Sequence, residues 1–280
     1  MTIDIRGTTR LAGVMGWPVA HSRSPRLHNY WLAKHGIDGA YVPLPVKPEN
    51  IEAALRALPV FAFVGANITV PHKEAALAIA DTVDPLARRV GAANLIVVSG
   101  DGKLEARNTD VYGFVENLRK EAPGWRVQEP AVVLGGGGAA RSVIVGLIDA
   151  GVPQIRVANR TRSRAEALQC LGAQVKIGDW SDRARLLDGA GLLVNTTLLG
   201  MTGQARLELD LERLPKAAVV NDVVYVPLET ELLAAARRRG HPVVDGLGML
   251  LHQARPAFRA FFGIEPDVTA ALRAHVLADR

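Results

Sequence analysis

Residues 131–147 read AVVLGGGGAARSVIVGL: four apolar residues, four glycines, then a pattern of helical period. No other stretch narrows the fold as much. A short apolar run that ends in glycine and opens a helix is the start of a strand–helix–strand crossover, which needs a parallel sheet to return to. The alternation continues downstream, with QIRVAN, LLVNTT and AAVVNDVV as strands and SRAEALQCLG as a helix. Apolar strands separated by helices imply a parallel sheet covered on both faces. Gly135, Gly137 and Ala140 stand in G-x-G-x-x-A register across the turn. Glycine there lets backbone N–H groups approach a pyrophosphate, whose charge the helix N-terminus favours. Such glycines also occur in plain flexible turns; the strand before and the helix after give the register its weight.

The next strand ends in VANRTRSRAEAL. In NAD-binding sheets an acid about 20 positions past the first glycine holds the ribose hydroxyls. Here Asn159, Arg160 and Thr161 stand 24 to 26 positions past Gly135, with Arg162 and Arg164 beyond and no acid among them. A carboxylate would repel the extra 2′-phosphate of NADP, whereas guanidinium groups bind it with paired hydrogen bonds. Three cations at a helix start also run against the helix dipole, so they suit an incoming anion. The pattern selects NADP(H) over NAD.

The first hundred residues carry a second α/β rhythm. LAGVM (11–15), AYVPLPV (40–46) and VGANITV (64–70) read as strands; SPRLHNYWLAKHG and PENIEAALRAL read as helices, the first stopped by Gly36. AANLIVVSGDGKLEARNTD reads as a β-hairpin, and a helix follows from Asp110 to Lys120. The polar KEAPGWRVQEP, with two prolines and a glycine, reads as a linker, and residues 120–130 as a hinge between domains. Two α/β domains are expected. GMLLHQARPAFRAFFG and PDVTAALRAHVLAD close the chain as two helices.

Composition excludes several classes of function. The 33 Lys and Arg give a net charge of +5 but form no basic stripe interleaved with aromatics, which argues against a nucleic-acid binder. No segment has eighteen uninterrupted apolar residues, and MTIDIRGTTR lacks the apolar core of a signal peptide. The single cysteine, Cys170, forms no internal disulfide and is expected as a small buried thiol. A cytoplasmic protein without a membrane segment is the expectation. The seven histidines show no metal-binding spacing, so no metal is expected.

One short stretch, ANITVPHK (66–73), poses a chemical question. Pro71 suits the first position of a helix, which would put Lys73 in the first turn, where the dipole disfavours a cation. A lysine held there gives up its proton more readily, as suits a general acid–base. Around it, polar residues collect at strand ends and loops: His21, Ser22 and Ser24, then Asn67 and Thr69, then Asn94, then Asn108, Thr109 and Asp110. Taken singly, these residues have bland readings as helix caps and turn closers. Short hydroxyl and amide side chains together suit a polyhydroxylated substrate.

In combination these stretches resemble the shikimate dehydrogenase family, whose members interconvert 3-dehydroshikimate and shikimate with NADP(H). The resemblance covers nearly the whole chain. It implies Ser22 and Ser24 of HSRSP as ligands of the shikimate carboxylate, and Asn67, Thr69, Asn94, Tyr225 and Gln253 as further substrate contacts. It implies Lys73 and Asp110 as the catalytic pair, Asp110 holding the lysine by a charge-assisted hydrogen bond. For NADP it implies Gly135, Gly136, Gly137, Gly138 and Ala139 at the diphosphate, and Asn159, Arg160, Thr161 and Arg164 at the 2′-phosphate. Thr196, Thr197, Val223, Gly246 and Met249 complete the cofactor contacts. It also implies that the last helices return to the first domain, giving residues 1–110 plus 247–280 for substrate and 111–246 as a Rossmann-type NADP domain. A monomer or homodimer is expected. The sequence departs from the family pattern at Trp17, Val111 and Leu198, the first two expected near the substrate and the third near the nicotinamide. The rival readings are a quinate/shikimate dehydrogenase using NAD and a non-catalytic NADP sensor.

Overall fold

The computed structural model describes residues 5–278, so residues 1–4 and 279–280 at the ends of the expected first domain lie outside the described residues. Contacts divide the chain into two units: one ends at Thr109 and resumes at Leu251, and the other is Asp110–Leu250. The crossings fall one residue earlier and four residues later than the sequence-based division at 110 and 246.

The first unit opens with β1 (Arg10–Gly16), α1 (Ser24–Lys34), β2 (Gly39–Pro45), α2 (Ile51–Ala57), β3 (Phe63–Ile68) and α3 (Lys73–Ile79). Then come β4 (Thr82–Val83), α4 (Pro85–Val90), β5 (Leu95–Val98) and β6 (Leu104–Arg107). Its sheet has the order β2-β1-β3-β5-β6-β4. The first three strands are parallel; in the expected hairpin β5 runs antiparallel to β3, and β6, antiparallel to β5, returns to their direction. Asp84 accepts from the Ala87 N–H and Pro85 takes the first helical position, so α4 starts where its capping chemistry says it should.

The second unit contains α5 (Asp110–Glu121), β7 (Ala131–Leu134), α6 (Gly138–Asp149), β8 (Ile155–Ala158), α7 (Arg162–Glu166), β9 (Val175–Ile177), β10 (Leu192–Asn195), β11 (Val219–Asp222), α8 (Glu231–Arg238) and β12 (Val243–Val244). Its sheet is parallel throughout, in the order β12-β11-β10-β7-β8-β9. Both faces are covered. Ala131 and Val133 of β7 point into a core shared with Phe114, Val143 and Leu147, whereas Val132 and Leu134 point into another with Leu232 and Leu233. This explains the uninterrupted apolar strands: neither face meets water. The chain then enters α9 (Gly246–Phe262), in which the division falls, and ends with α10 (Ala270–Leu277). Phe258 and Phe261 of α9 join Trp31 and Tyr41 in the first unit's aromatic core.

Three expectations need correction. Residues 120–130 are not a linker: Trp125 and Val127 pack against the second unit's core, and Arg126 pairs with Glu129 at 2.7 Å. A polar, proline-bearing stretch can still be fastened by two apolar anchors. The helix expected over SRAEALQCLG is α only to Glu166, with a short 3₁₀ turn at Gln169–Leu171. That break leaves Leu168 buried and Cys170 exposed. Finally, α3 begins at Lys73, two residues after Pro71, with His72 in the capping position. Among the described residues no helix is long and apolar enough to cross a membrane.

Candidate active site

In the first unit, β1 and β3 are parallel neighbours, so the segments leaving their carboxyl ends emerge on one edge, where open α/β sheets bind ligands. The two segments are stitched together: the Thr69 N–H donates to Met15 O at 2.9 Å and the Trp17 N–H to Val70 O at 3.0 Å. The methyl of Thr69 rests directly on Gly16, where any side chain would collide with it. Asn67 accepts from the Tyr41 hydroxyl at 2.7 Å and donates to Asn94 O at 3.2 Å. Asn94 is 2% exposed; its amide donates to Thr109 Oγ1 at 2.9 Å and accepts from the Thr109 N–H at 2.7 Å. Asn108 is buried beside it, donating to Ala92 O at 2.9 Å.

Lys73 is half-buried at the first position of α3. Its carbonyl accepts from the Ala93 N–H at 2.9 Å, tying the helix start to the segment that carries Asn94. His72 is 2% exposed and its Nε2 meets Val46 O at 2.7 Å. A carbonyl only accepts, so that nitrogen carries the proton. Ser22 accepts from the Ser24 N–H at 3.3 Å, while Ser24 is the first residue of α1 with Arg23 in the capping position. Neither serine is therefore the N-cap. Gln253 is half-buried on the part of α9 that belongs to this unit.

In the second unit, Gly135 has φ +127°, and its α-carbon lies so close to the Thr196 hydroxyl that no side chain fits. A β-carbon on Gly136 would stand 3.0 Å from Arg164 Cβ and 3.1 Å from Asn159 Cγ, so the glycine loop and the NRTRSR segment are in contact. Gly137 caps α6 with open space before it, which leaves the helix N-terminus accessible together with Gly138 and Ala139. Thr161 occupies the cap position of α7, and the Asn159 amide donates to Thr161 O at 2.9 Å. Arg162 is committed to ion pairs with Glu166 at 2.8 Å and with Asp179. No partner is recorded for Arg160 or Arg164 among the described residues, and both are exposed. Two free guanidinium groups beside a glycine cradle fit the diphosphate and 2′-phosphate of NADP(H).

At the ends of β10 and β11 a buried carboxylate holds the loops. Asp222 accepts from Asn195 at 3.0 Å, from the Val224 N–H at 3.0 Å and from the Thr230 hydroxyl at 2.8 Å. Burial pushes its pKa up to about 6, against the opposing pull of those hydrogen bonds. Asn195 in turn accepts from the Thr197 hydroxyl at 2.7 Å, and the Thr196 hydroxyl donates to Leu134 O at 2.7 Å. Val223 presses its carbonyl on Gly246. Tyr225 is half-buried on the following loop. Met249 is 7% exposed and packs in the apolar core of the second unit. Asp110, 1% exposed, is the first residue of α5, one position after the Thr109 that Asn94 grips.

A profile described as the shikimate dehydrogenase substrate binding domain matches residues 14–96, and one described as the shikimate 5′-dehydrogenase C-terminal domain matches residues 246–274. The chain is 61% identical to a shikimate dehydrogenase (NADP(+)) of Paramagnetospirillum magneticum, over 97% of this chain and 99% of the relative. This chain belongs to the shikimate dehydrogenase family. Its fold is similar to shikimate 5-dehydrogenase of Thermus thermophilus, solved with NADP(H) and shikimate, at TM-score 0.84 and 38% identity over 95% of this chain and 98% of that one. It is also similar to quinate dehydrogenase of Corynebacterium glutamicum in complex with NAD, at TM-score 0.88 and 33% identity over 96% and 99% of the two chains.

The three departures from the family pattern have different fates. Val111 is 7% exposed and packs beside Gly146 of α6. Trp17 is 42% exposed with Lys47 over its ring at 5.7 Å, and Leu198 is 45% exposed. Two polar residues escaped the sequence reading. Tyr41 lies in an apolar strand run and gave no signal; Asp222 stood next to Val223 in NDVV, where its burial was not visible.

Proposed function

We propose that this chain is an NADP-dependent shikimate dehydrogenase, catalysing the reversible reduction of 3-dehydroshikimate to shikimate in aromatic amino-acid biosynthesis, in the cytoplasm. The observation that carries the reading is the fastening of the Lys73 segment to the strand ends that bear the polar residues. Thr69 is bonded to Met15, His72 to Val46, and Lys73 to Ala93, so the lysine sits in a frame shared with Asn67 and Asn94.

The roles fall to separate sets of residues. Ser22 and Ser24 take the substrate carboxylate; Asn67, Thr69, Asn94, Tyr225 and Gln253 take its hydroxyls. The glycine loop with Ala139 receives the diphosphate of NADP(H), and Arg160 and Arg164, with Asn159 and Thr161, its 2′-phosphate. Thr196, Thr197, Val223, Gly246 and Met249 form the remaining cofactor surface. When bound, NADPH supplies a hydride to the keto carbon. Lys73 donates a proton from Nζ to the carbonyl oxygen as its charge develops, and the neutral amine takes that proton back in shikimate oxidation. Asp110 is the partner of Lys73 that the family pattern implies.

Reduced-nicotinamide absorbance, followed for shikimate or quinate with NADP⁺ or NAD⁺, tests the proposal. Turnover concentrated on shikimate with NADP⁺ is expected. Comparable rates with quinate or NAD⁺ would move the chain to the broader quinate/shikimate branch, and no turnover with any pair would refute the proposal.

A further inference from the structure

Behind Asn67 lies a buried assembly that the reaction scheme does not use. The parallel register sets Tyr41 of β2 beside Ala12 of β1, and Val14 of β1 beside Asn67 of β3. Ala12 and Val14 share one face of β1. The small Ala12 leaves room for the Tyr41 phenol to extend across β1, where its hydroxyl reaches Asn67 Oδ1 at 2.7 Å. The ring itself is fixed. His28 of α1 stacks on it with centroids 4.0 Å apart and planes at 4°, and the next residue, Asn29, brackets the backbone of Tyr41 with two hydrogen bonds of 2.9 and 3.0 Å. Tyr41 and His28 are each 1% exposed.

The Asn67 amide could otherwise sit in either of two orientations. Asn94 O only accepts, so it must face the amide nitrogen, and the oxygen then turns to the Tyr41 hydroxyl. We propose that Tyr41, held by His28 and Asn29 of the helix that Ser24 begins, is a positioning residue that fixes the amide of Asn67 toward the substrate. This rests on the assignment of Asn67 as a substrate ligand. Tyr41 does not itself touch substrate. His28 stays neutral throughout the working range because burial pushes its pKa down to about 3, so the platform carries no charge.

The test is a double-mutant cycle on shikimate oxidation with Tyr41→Phe, Asn67→Ala and the pair, with thermal melting of each protein. Tyr41→Phe is expected to raise KM for shikimate about three- to tenfold, the size of one neutral hydrogen bond, leaving kcat and KM for NADP⁺ within about twofold. In the Asn67→Ala background the same change is expected to do nothing further. Penalties that multiply, or a lowered melting temperature with KM for shikimate unchanged, would overturn the proposal and leave Tyr41 as a packing residue. If Asn67→Ala itself leaves KM for shikimate unchanged, the ligand assignment fails instead, and the positioning role with it.

Discussion

The two units solve the same problem, presenting polar groups at the carboxyl ends of parallel strands, with opposite materials. The first uses polar side chains that are already engaged: Asn67 with Tyr41, Asn94 with Thr109, His72 with Val46. The second uses bare backbone and unengaged charge: a glycine loop, an accessible helix N-terminus, and Arg160 with Arg164. The difference matches what each is proposed to bind. A small polyhydroxylated ring is distinguished by the direction of a few hydrogen bonds, which requires groups held from behind. Phosphates are recognised by charge and N–H density, which requires room and cations without competitors. Two buried groups shift in ways that can be compared: His28 of the first unit, pushed down by burial, and Asp222 of the second, pushed up by it.

This contrast can be broken at several points. The largest effect is expected from Lys73→Ala, which should lower kcat by about 10²- to 10⁴-fold, the range of general acid–base catalysis, with little change in either KM. A loss confined to KM for shikimate would make Lys73 a binding residue. Replacing Arg160 and Arg164 together by alanine should raise KM for NADP⁺ by about tenfold or more, the weight of charge-assisted hydrogen bonds, and leave KM for NAD⁺ and shikimate unchanged. Equal losses with NAD⁺ would show that the arginines do not read the 2′-phosphate.

The buried ionisable groups give opposite pH signatures in unfolding experiments. His28 titrates at about 3 folded and 6.5 unfolded, so its contribution is present above pH 6.5 and is lost as pH falls toward 3. Asp222 titrates at about 6 folded and 3.8 unfolded, so its contribution is present below pH 3.8 and is lost as pH rises through 6. Asp222→Asn should remove the second slope and leave the first; a profile unchanged by the substitution would mean the carboxyl is not burdened by burial. The smallest effect is expected from Arg162→Ala, because that side chain is occupied by Glu166 and Asp179 at the surface. Both KM values should stay within about twofold of wild type, and a large rise for NADP⁺ would mean the ion pairs yield to cofactor.

Much of this was legible in the sequence where the determinant is local. The strand–glycine–helix turn at 131–147, the β-hairpin around Gly102 and the start of α5 at Asp110 depend on neighbours a few residues away, and they stand where pattern and turn chemistry put them. Long-range pairing was not legible. The partner of Tyr41 is 26 residues away on a strand two places over, and the partner that removes Arg162 from service is 17 residues on, just past β9. The false linker at 120–130 failed for a related reason: its polar composition is real, but Trp125 and Val127 find the core of their own unit. Cys170 was misplaced because the helix that would have buried it stops at Glu166.

The central claim, that substrate and cofactor are recognised by separate sets of residues, is tested most directly by titration calorimetry of shikimate and NADP⁺, each alone, on the wild-type protein, Asn67→Ala and Arg164→Ala. Weakened shikimate binding only in Asn67→Ala, and weakened NADP⁺ binding only in Arg164→Ala, is the predicted result. Loss of NADP⁺ affinity in Asn67→Ala, or of shikimate affinity in Arg164→Ala, would contradict it.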